Sequence, residues 1–448
     1  MAKNLHEFRD PVHGFITCSS KERAVINSRP FQRLRHIHHL ATSFLVYPGA
    51  THRRFEHSLG VMELATKIYD VLTDSRNLMA VDEKTGRSIP EISDDNDRRT
   101  YRIALRMAAL CHDLGHIPFS HGAEELLPGK TTHEHLTWKL ILSDEMAPFW
   151  KALNLDPSLV AKLAVGRKEA AKIDGSVAFS VWDTIVSEII VGEAFGADRM
   201  DYLLRDSLHT GVSYGRFDHQ RLISTLRILP SAIEDDVEGG QTSEPAIGVE
   251  VGGLQAAESL VMARYLMFSQ VYCHHVRRIY DIHLREFMEL IYPEGLPVEH
   301  EEFLNLTDNE ILVELRLAAD DPGRVGHEPA RRLMKRGHYK KVYQLTNDDR
   351  QKCDAPLKAL QEALIERYGS DNVRIDDYGK KTQLAEDFPV WVDDRSVYVR
   401  NESQLLRDFP PVSTDYLFVE PELFEKARDW VDANREAVFK RAKKGEMS

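Results

Sequence analysis

The stretch ALCHDLGHIPFSH, residues 109–121, sets His112 beside Asp113 in an apolar context that predicts burial. On a regular helix adjacent side chains diverge by about 100°. These two can therefore share one ion only if they bind it from different sides. An imidazole and a carboxylate buried together without a partner are costly, and a cation between them removes that cost. The alternative is a hydrogen-bonded His–Asp pair that caps a helix.

Two further segments supply ligands of the same kind. His57 lies in RRFEHSLG, residues 53–60, and Asp198 lies in GADRMDYLLRD, residues 196–206. Two imidazoles and two carboxylates from three helices form a mixed nitrogen and oxygen site that suits Mn, Fe, Co, Ni, Zn or Mg. Such a metal lowers the pKa of bound water, and the water, once it has lost a proton, attacks phosphorus readily. The pattern therefore predicts phosphoester hydrolysis at a single divalent metal.

Other polar side chains are predicted to surround this centre. Those that could touch a phosphate or donate a proton, and the carboxylate that could orient one of them, are His116, His121, His133 and Glu124. Asp198, Tyr202 and Asp206 follow one another at four-residue steps and therefore share a helix face. Arg54 and Arg199 would attract a polyphosphate, although each taken alone could equally be a solvated surface cation.

The fold class predicted from the pattern is mainly α. Apolar residues recur at helical spacing over 57–72, 103–114 and 181–205, and residues 258–290 form a run without Pro or Gly. Pro118 limits the second of these helices, and Gly192 and Gly196 are possible interruptions of the third.

Two breaks divide the chain. LISTLRIL and AIGVEV, within residues 222–252, predict a small β-hairpin with a long loop. A proline-containing connector at 291–300 predicts a catalytic unit over 1–293 and a mixed α+β accessory region over 294–448. In the latter region we expect strands at VWVDD, SVYVRN and DYLFVEP and a final helix over 421–441. Its expected role is to cover the catalytic helices and to build an oligomer interface.

The composition indicates an acidic globular protein. The net charge of −13 argues against a general nucleic-acid coat, and no run of about 18 apolar residues could span a bilayer. The scattered cysteines Cys18, Cys111, Cys273 and Cys353 fit neither a disulfide framework nor a thiolate zinc site. We expect a cytoplasmic location, no membrane partner and no nucleic-acid binding.

At these residues the sequence resembles the HD-domain deoxynucleoside triphosphate triphosphohydrolases, of the sterile-alpha-motif-and-HD type and its bacterial relatives. The resemblance runs from Asp10 to about Leu290 and implies an HD-domain helical bundle. The matching segments, in order, are DPVHG, FQRLRHI, YPGATHRRFEHSLG, LCHDLGHIPFSH, the HE at 133–134, DRMDYLLRD and VRRIYD.

By position, the resemblance implies the metal ligands His57, His112, Asp113 and Asp198. It implies that the catalytic group comprises His116, His121 and His133 with Glu124. Contacts to a triphosphate would come from Arg54, Arg199 and Tyr202. The sugar pocket would be lined by Leu40, Asp206 and Tyr280; the carboxylate would read the 3′-hydroxyl and the tyrosine would crowd C2′ so that ribose is rejected.

One segment departs from the family. Its KQLG-like stretch, whose glutamine also reads the sugar, is His38-His39-Leu40-Ala41 here, so His39 is the substrate-binding residue at that position. His39 can still form a hydrogen bond, but its reach and shape differ. The strictness of deoxyribose selectivity is therefore open.

The reaction implied by the resemblance releases a nucleoside and intact tripolyphosphate after attack at the α-phosphorus. His121, by preference, would protonate the departing 5′-oxygen. Family members are usually oligomers with activating nucleotides between subunits, so a homodimer or homotetramer is expected. Gln32 and Arg35 match positions that contact an activating guanine, while Asn27 replaces an aspartate.

Other functions remain open from the sequence. The same metal site could act on a nucleoside monophosphate, a ribonucleotide or an alarmone. The protein could also be a catalytically silent nucleotide sensor.

Overall fold

The computed structural model of the 448-residue chain describes residues 5–77, 94–230, 245–377, 386–410, 412 and 414–443, and of His121 the backbone alone. Within these residues the fold is mainly helical with three small sheets, which confirms the predicted fold class. None of the described helices has the length and apolar character needed to cross a membrane.

The bounds of the regular elements are as follows. The helices up to residue 224 are α1 (Ser20–Ile26), α2 (Arg29–Arg33), α3 (Arg54–Leu72), α4 (Asp95–Cys111), α5 (His133–Ile141), α6 (Ala147–Leu153), α7 (Pro157–Ile173), α8 (Val181–Val191), α9 (Ala197–Thr210) and α10 (His219–Ser224). The later helices are α11 (Leu254–Met267), α12 (His275–Ile291), α13 (His300–Asn305), α14 (Asp308–Asp320), α15 (His327–Met334), α16 (Asn347–Arg350), α17 (Pro356–Tyr368), α18 (Val399–Glu402), α19 (Gln404–Arg407) and α20 (Phe424–Lys443). The strands are β1 (Leu5–Asp10), β2 (Gly14–Ser19), β3 (Leu226–Pro230), β4 (Pro245–Glu250), β5 (Lys340–Gln344), β6 (Val373–Asp377), β7 (Pro389–Val392), β8 (Arg395–Tyr398) and β9 (Asp415–Val419). Short 3₁₀ turns lie at Leu34–His36, Ala41–Leu45, Ser120–Leu126, Val251–Gly253, Ser370–Asn372 and Pro421–Leu423, and a π turn lies at Phe268–Tyr272.

The helices α3, α4, α8 and α9 form the bundle that carries the predicted ligands. Helix α3 packs against α4 and α9, and it buries Val61, Leu64 and Ile68 as the apolar spacing predicts. The start of α4 is fixed by the Asp94 side chain, which accepts hydrogen bonds from the first backbone N–H groups of that helix. A capping box begins α8.

Helix boundaries differ from the sequence expectations at two places. Helix α4 ends at Cys111 rather than at residue 114, because the Nδ1–H of His112 donates to the Ala109 carbonyl and replaces the next backbone hydrogen bond. The run over 258–290 is not one helix. It passes through the π turn and breaks before α12, where the His274 side chain accepts from the Val276 N–H. The predicted interruption between Gly192 and Gly196 is confirmed, since α8 ends at Val191 and α9 begins at Ala197.

The sheets are small and lie around the bundle. The predicted hairpin is confirmed as β3 and β4, which pair antiparallel, and β4 also pairs in parallel with β7. A second sheet has the order β5–β9–β6. An N-terminal hairpin of β1 and β2, with Asp10 opposite Gly14, was not predicted from the sequence.

The apolar core continues past the predicted domain boundary. The core of the bundle includes Phe303, Leu315 and Leu333, all from the segment after residue 294. A separate, smaller core lies between the β5–β9–β6 sheet and helices α17 and α20, with Leu417 and Phe439 at its centre. The division at 293/294 stays a prediction.

Gly60 on α3 leaves space for side chains of α9. A Cβ atom there would lie 1.9 Å from Asp201 Oδ1 and 2.4 Å from Arg205 Nη2. We predict that Gly60→Ala lowers the free energy of unfolding by about 2 kcal/mol, because overpacking outweighs the gain of up to about 1 kcal/mol in helix propensity. Urea denaturation measures this.

The matched control is Gly175→Ala, where a Cβ would meet nothing nearer than 3.9 Å. Equal stabilities for the two variants would contradict the packing argument.

Candidate metal centre and active site

Three side chains from three helix segments converge on one point. His57 comes from α3, His112 from the end of α4, and Asp198 from the first turn of α9. Their ligand atoms lie within 4.8 Å of one another. Asp198 Oδ1 is 3.0 Å from His57 Nε2 and 3.6 Å from His112 Nε2.

Asp113 completes the group from the other side. Its Oδ1 lies 3.3 Å from His112 Nε2, and its Oδ2 lies 3.6 Å from His57 Nε2. The Asp113 carboxylate also accepts a hydrogen bond of 2.5 Å from Arg54 Nη1. Burial opposes its ionisation, but the charges of Arg54 and His112 hold the pKa of Asp113 well below its usual range. Asp113 and Asp198 thus lie beside the same two imidazoles, and the role of the four residues as metal ligands stays a prediction.

The donor geometry fits a divalent cation. Metal–ligand bonds of about 2.1 Å with tetrahedral or octahedral angles separate neighbouring ligand atoms by roughly 3.0–3.4 Å, close to the separations observed. Each imidazole uses Nδ1 elsewhere, His57 on Asp201 at 2.8 Å and His112 on the Ala109 carbonyl. Their Nε2 atoms are buried without a well-aligned hydrogen bond in the described part of the chain. Both lone pairs are therefore available to a metal.

The electrostatics favour positive charge at this point. Burial lowers the pKa of His57, but the carboxylates of Asp198 and Asp201 outweigh burial and raise that pKa to about 10. The pKa of Asp198 is lowered, because contacts with His112 and His57 outweigh its burial. A site that draws a proton this strongly is one in which a cation is well stabilised.

A histidine pair lies beside the centre. His116 Nε2 is 3.2 Å from Asp113 Oδ1, and the His116 ring stacks on that of His133 at 4.1 Å. His133 Nδ1 contacts Glu124 Oε1 at 2.5 Å, and its Nε2 lies 3.2 Å from Glu134 Oε1. Although burial lowers the pKa of His133, these carboxylates raise it overall, whereas burial and the Arg54 charge lower that of His116. The backbone of His121 lies in the adjoining 3₁₀ turn, and its side chain is outside the described residues.

Arginines form a second group at the start of α9. Arg199 Nε and Nη1 are buried without an acceptor among the described residues. Arg264, on α11, interacts with Tyr202, and its pKa is lowered by burial and by the charge of Arg199. Arg264 was not identified from the sequence, because α11 shows only an apolar helical pattern. An anion bound here would supply the acceptors that the Arg199 guanidinium lacks among the described residues.

A polar cluster adjoins the metal centre on the other side. Asp206 Oδ1 is 2.7 Å from His52 Nε2 and 3.6 Å from His39 Nε2, and Asp206 Oδ2 accepts 2.7 Å from the Tyr272 hydroxyl. The ring of His39 lies 4.3 Å from that of His57. Leu40 follows in the chain and is buried. Burial, with His57 and Arg54, lowers the pKa of His39 well below its ordinary value.

The role of Tyr280 in the sugar pocket stays a prediction. Its ring packs against that of His338 at 4.8 Å, and its hydroxyl is buried without a described hydrogen-bond partner. The tyrosine that reaches Asp206 is Tyr272, in the π turn.

The predicted activator residues contact each other. Arg35 Nε donates to Gln32 Oε1 at 2.9 Å, Gln32 Nε2 donates to the Ile26 carbonyl, and the Arg35 guanidinium lies over the Phe55 ring. Their role toward a nucleotide stays a prediction.

Residues after position 294 also shape the site, which the sequence did not indicate. Asp308 is fully buried; it accepts hydrogen bonds from the backbone N–H groups of His38 and Phe119, both at 2.7 Å. Arg33 donates to the carbonyls of His116 and Leu306. The accessory region thus holds two loops of the site.

Comparisons with known proteins agree with this geometry. A model of the HD domain matches residues 54–172, and a model of the HD associated region matches residues 217–416. The uncharacterized protein YwfO of Bacillus subtilis is 31% identical over 351 residues, covering 73% of this chain and 70% of that protein. The deoxynucleoside triphosphate triphosphohydrolase SAMHD1 of Gallus gallus is 28% identical, covering 73% of this chain.

A solved structure shares the fold. The crystal structure of a hypothetical protein from Aquifex aeolicus superposes with a TM-score of 0.73 at 31% identity, covering 95% of this chain and 99% of that one. The chain spans only 55% of the length of the Gallus gallus protein.

The metal centre leads to a direct prediction. Asp198→Ala should weaken binding of Mn²⁺ to metal-stripped protein by more than about tenfold, since outer-shell changes alone reach that range. Equilibrium dialysis with elemental analysis measures this. Asp183→Ala is the control, because Asp183 is a buried carboxylate paired with Lys162 and Tyr101 instead. Equal metal affinities for the two variants would rule out Asp198 as a ligand.

Proposed function

The chain belongs to the HD-domain hydrolase family, and from this premise we propose that it is a divalent-metal-dependent triphosphohydrolase of deoxynucleoside triphosphates. The products would be the deoxynucleoside and intact tripolyphosphate. The metal ligands would be His57, His112, Asp113 and Asp198, and the similarity to a named triphosphohydrolase supports the substrate class.

One observation supports a polyphosphate substrate above all others. Arg199 has two buried nitrogens without acceptors in the described residues, and Arg264 lies close enough for mutual repulsion. Guanidinium groups bind phosphate oxygens through paired hydrogen bonds, and a polyphosphate would neutralise both. Tyr202, which interacts with Arg264, would share this binding.

The metal centre would face the scissile phosphate. The four ligands would hold a divalent cation, which would supply a Lewis acid and would lower the pKa of the attacking water. Arg54 has two tasks: its Nη1 holds Asp113, and its Nε donates to Ser120 Oγ at 2.8 Å. These bonds fix the guanidinium beside the centre, where it would contact a phosphate oxygen.

The proton for the leaving oxygen would come from the histidines. His133 suits this role, because Glu124 and Glu134 favour its imidazolium form. His116, stacked on His133 and next to Asp113, would contact the phosphate as a neutral ring. His121 is retained as a candidate donor from the resemblance.

The polar cluster around Asp206 would receive the sugar. Asp206 and His39 would bind the 3′-hydroxyl, and Tyr280 would crowd C2′, as the resemblance implies. Tyr272, whose hydroxyl donates to Asp206, would hold that carboxylate in place. Leu40 would pack beside the sugar. A buried site built to hydrogen-bond a hydroxyl discriminates strongly against substrates that lack it.

Assembly and regulation are the remaining parts of the proposal. We propose a cytoplasmic homo-oligomer with an activating nucleotide near Gln32 and Arg35, as the resemblance implies. The alternatives are hydrolysis of a monophosphate, a ribonucleotide or an alarmone, or a silent nucleotide sensor.

Product analysis tests the reaction. Incubated with each of the four dNTPs and four NTPs and Mn²⁺ or Mg²⁺, the protein should release nucleoside and tripolyphosphate in equal amounts, with dNTPs preferred. Anion-exchange chromatography separates tripolyphosphate from pyrophosphate and orthophosphate. Stepwise orthophosphate release would contradict attack at the α-phosphorus, and no turnover under any condition would favour the sensor.

The pH profile tests the proton donor. Because Glu124 raises the pKa of His133, activity that needs the imidazolium should persist as pH rises and fall only when pH passes that raised pKa. In Glu124→Gln this support is lost, so the alkaline limb of kcat should move to lower pH. Glu125→Gln is the control, since Glu125 pairs with Arg285 at the surface. An unchanged alkaline limb in Glu124→Gln would assign the donor elsewhere.

A further inference from the structure

The N-terminal hairpin places two side chains against residues of α9 that adjoin the metal centre. His13 and Asp10 lie at the turn between β1 and β2, and both are buried against α9. His13 Nε2 is 2.6 Å from Asp201 Oδ1, and Asp10 accepts 2.8 Å from Arg205 Nη1. Both residues belong to the DPVHG segment, residues 10–14, which has no part in the proposed reaction.

Asp201 is the hub of these contacts. Its Oδ2 accepts from His57 Nδ1 at 2.8 Å and from Arg205 Nε at 2.8 Å, and its Oδ1 accepts from Arg205 Nη2 at 3.0 Å in addition to the His13 contact. The side chains of Asp201 and Arg205 are 0% exposed, and that of His13 is 1% exposed. Each oxygen of the Asp201 carboxylate is thus contacted by two donors, one from Arg205 and one from a histidine.

The contact with His57 decides which nitrogen faces the centre. A carboxylate accepts only, so Nδ1 of His57 must carry the proton in this hydrogen bond. Nε2 then presents its lone pair to the ligand cluster. A carboxylate placed in this way also makes the imidazole a stronger ligand.

We propose that Asp201 is the positioning residue for the metal ligand His57, and that His13, supplied by the N-terminal hairpin, is the positioning residue for Asp201. The order of contacts is His13, Asp201, His57 and metal. This inference depends on the metal centre of the proposed function but not on the nucleotide that is hydrolysed.

The charges show why His13 is needed. Asp10 and Asp201 surround the single arginine Arg205, and both Asp201 oxygens already accept from Arg205. Arg205 donates once to each oxygen and leaves a second acceptor position on each of them. His13 fills this position on Oδ1 and His57 fills it on Oδ2, so His13 restrains the carboxylate that orients His57. Gly60 leaves room for it, since a Cβ there would occupy the place of Asp201 Oδ1.

The experiment compares metal affinity in full-length variants without nucleotide. Binding of Mn²⁺ is followed by electron paramagnetic resonance, and the visible absorption of bound Co²⁺ reports ligand geometry. His13→Ala should weaken Mn²⁺ binding by about 10- to 100-fold, as outer-shell changes do, and should alter the Co²⁺ spectrum. His13→Gln, whose amide N–H can replace Nε2–H, should restore most of the affinity.

The control is Glu22→Gln. Glu22 forms a buried pair with Arg106, and Arg106 also donates to the Thr17 carbonyl of β2, so this change loosens the same hairpin without touching Asp201. Its Mn²⁺ affinity should stay within about twofold of the unaltered chain.

Several outcomes would overturn the proposal. Equal losses of Mn²⁺ affinity in His13→Ala, His13→Gln and Glu22→Gln would show only a general effect of hairpin stability. An unchanged Mn²⁺ affinity and Co²⁺ spectrum in His13→Ala would show that His13 does not act on the centre. Asp201→Asn gives an independent check and should weaken Mn²⁺ binding at least as much as His13→Ala. Failure of the unaltered chain to bind Mn²⁺ or Co²⁺ would instead refute the metal centre itself.

Discussion

Two carboxylates and two imidazoles share one largely buried space in this structure, and the rest of the site depends on how their charges are balanced. Arg54 neutralises Asp113, and Arg205 neutralises Asp201 outside the ligand cluster. The remaining carboxylate, that of Asp198, lies close to the Nε2 atoms of His57 and His112, so the lone pairs of these three groups converge. A cation bound to these atoms would join the side chains of three helices, so it would stabilise the packing of α3, α4 and α9 as well as supply the chemistry.

The loop that follows the His-Asp pair has an unfavourable backbone. Phe119 and Ser120 adopt φ values of 55° and 54°, a left-handed conformation that costs a non-glycine residue about 1–3 kcal/mol. The surrounding contacts compensate: Asp308 accepts from the Phe119 N–H, and Ser120 Oγ accepts from Arg54. Because Asp308 lies beyond the predicted domain boundary, the accessory region is a structural part of the site.

The sequence predicts local features of this protein well and long-range ones poorly. The ligands could be found because motifs such as HD at 112–113 combine unusual residue types with an apolar context. The long bundle helices could be found because their apolar spacing is regular. The roles of Asp201, Arg264 and Tyr272 could not be found in this way, since they depend on which helix faces meet. The π turn adds to the difficulty, because it shifts the phase of every residue after it.

The same reasoning bears on sugar selectivity under the proposed function. His39 is held neutral by burial and by neighbouring cations, so one ring nitrogen donates and the other accepts. A hydroxyl can do both, and a glutamine amide offers the same pair of roles, so this substitution preserves hydroxyl recognition. It adds no steric barrier. Exclusion of ribose would then come from Tyr280, as the resemblance implies. Tyr272 would hold the Asp206 carboxylate, because burial and that carboxylate raise the pKa of Tyr272 and keep its hydroxyl a donor. The π turn that places the Tyr272 ring would therefore fix the carboxylate that reads the sugar.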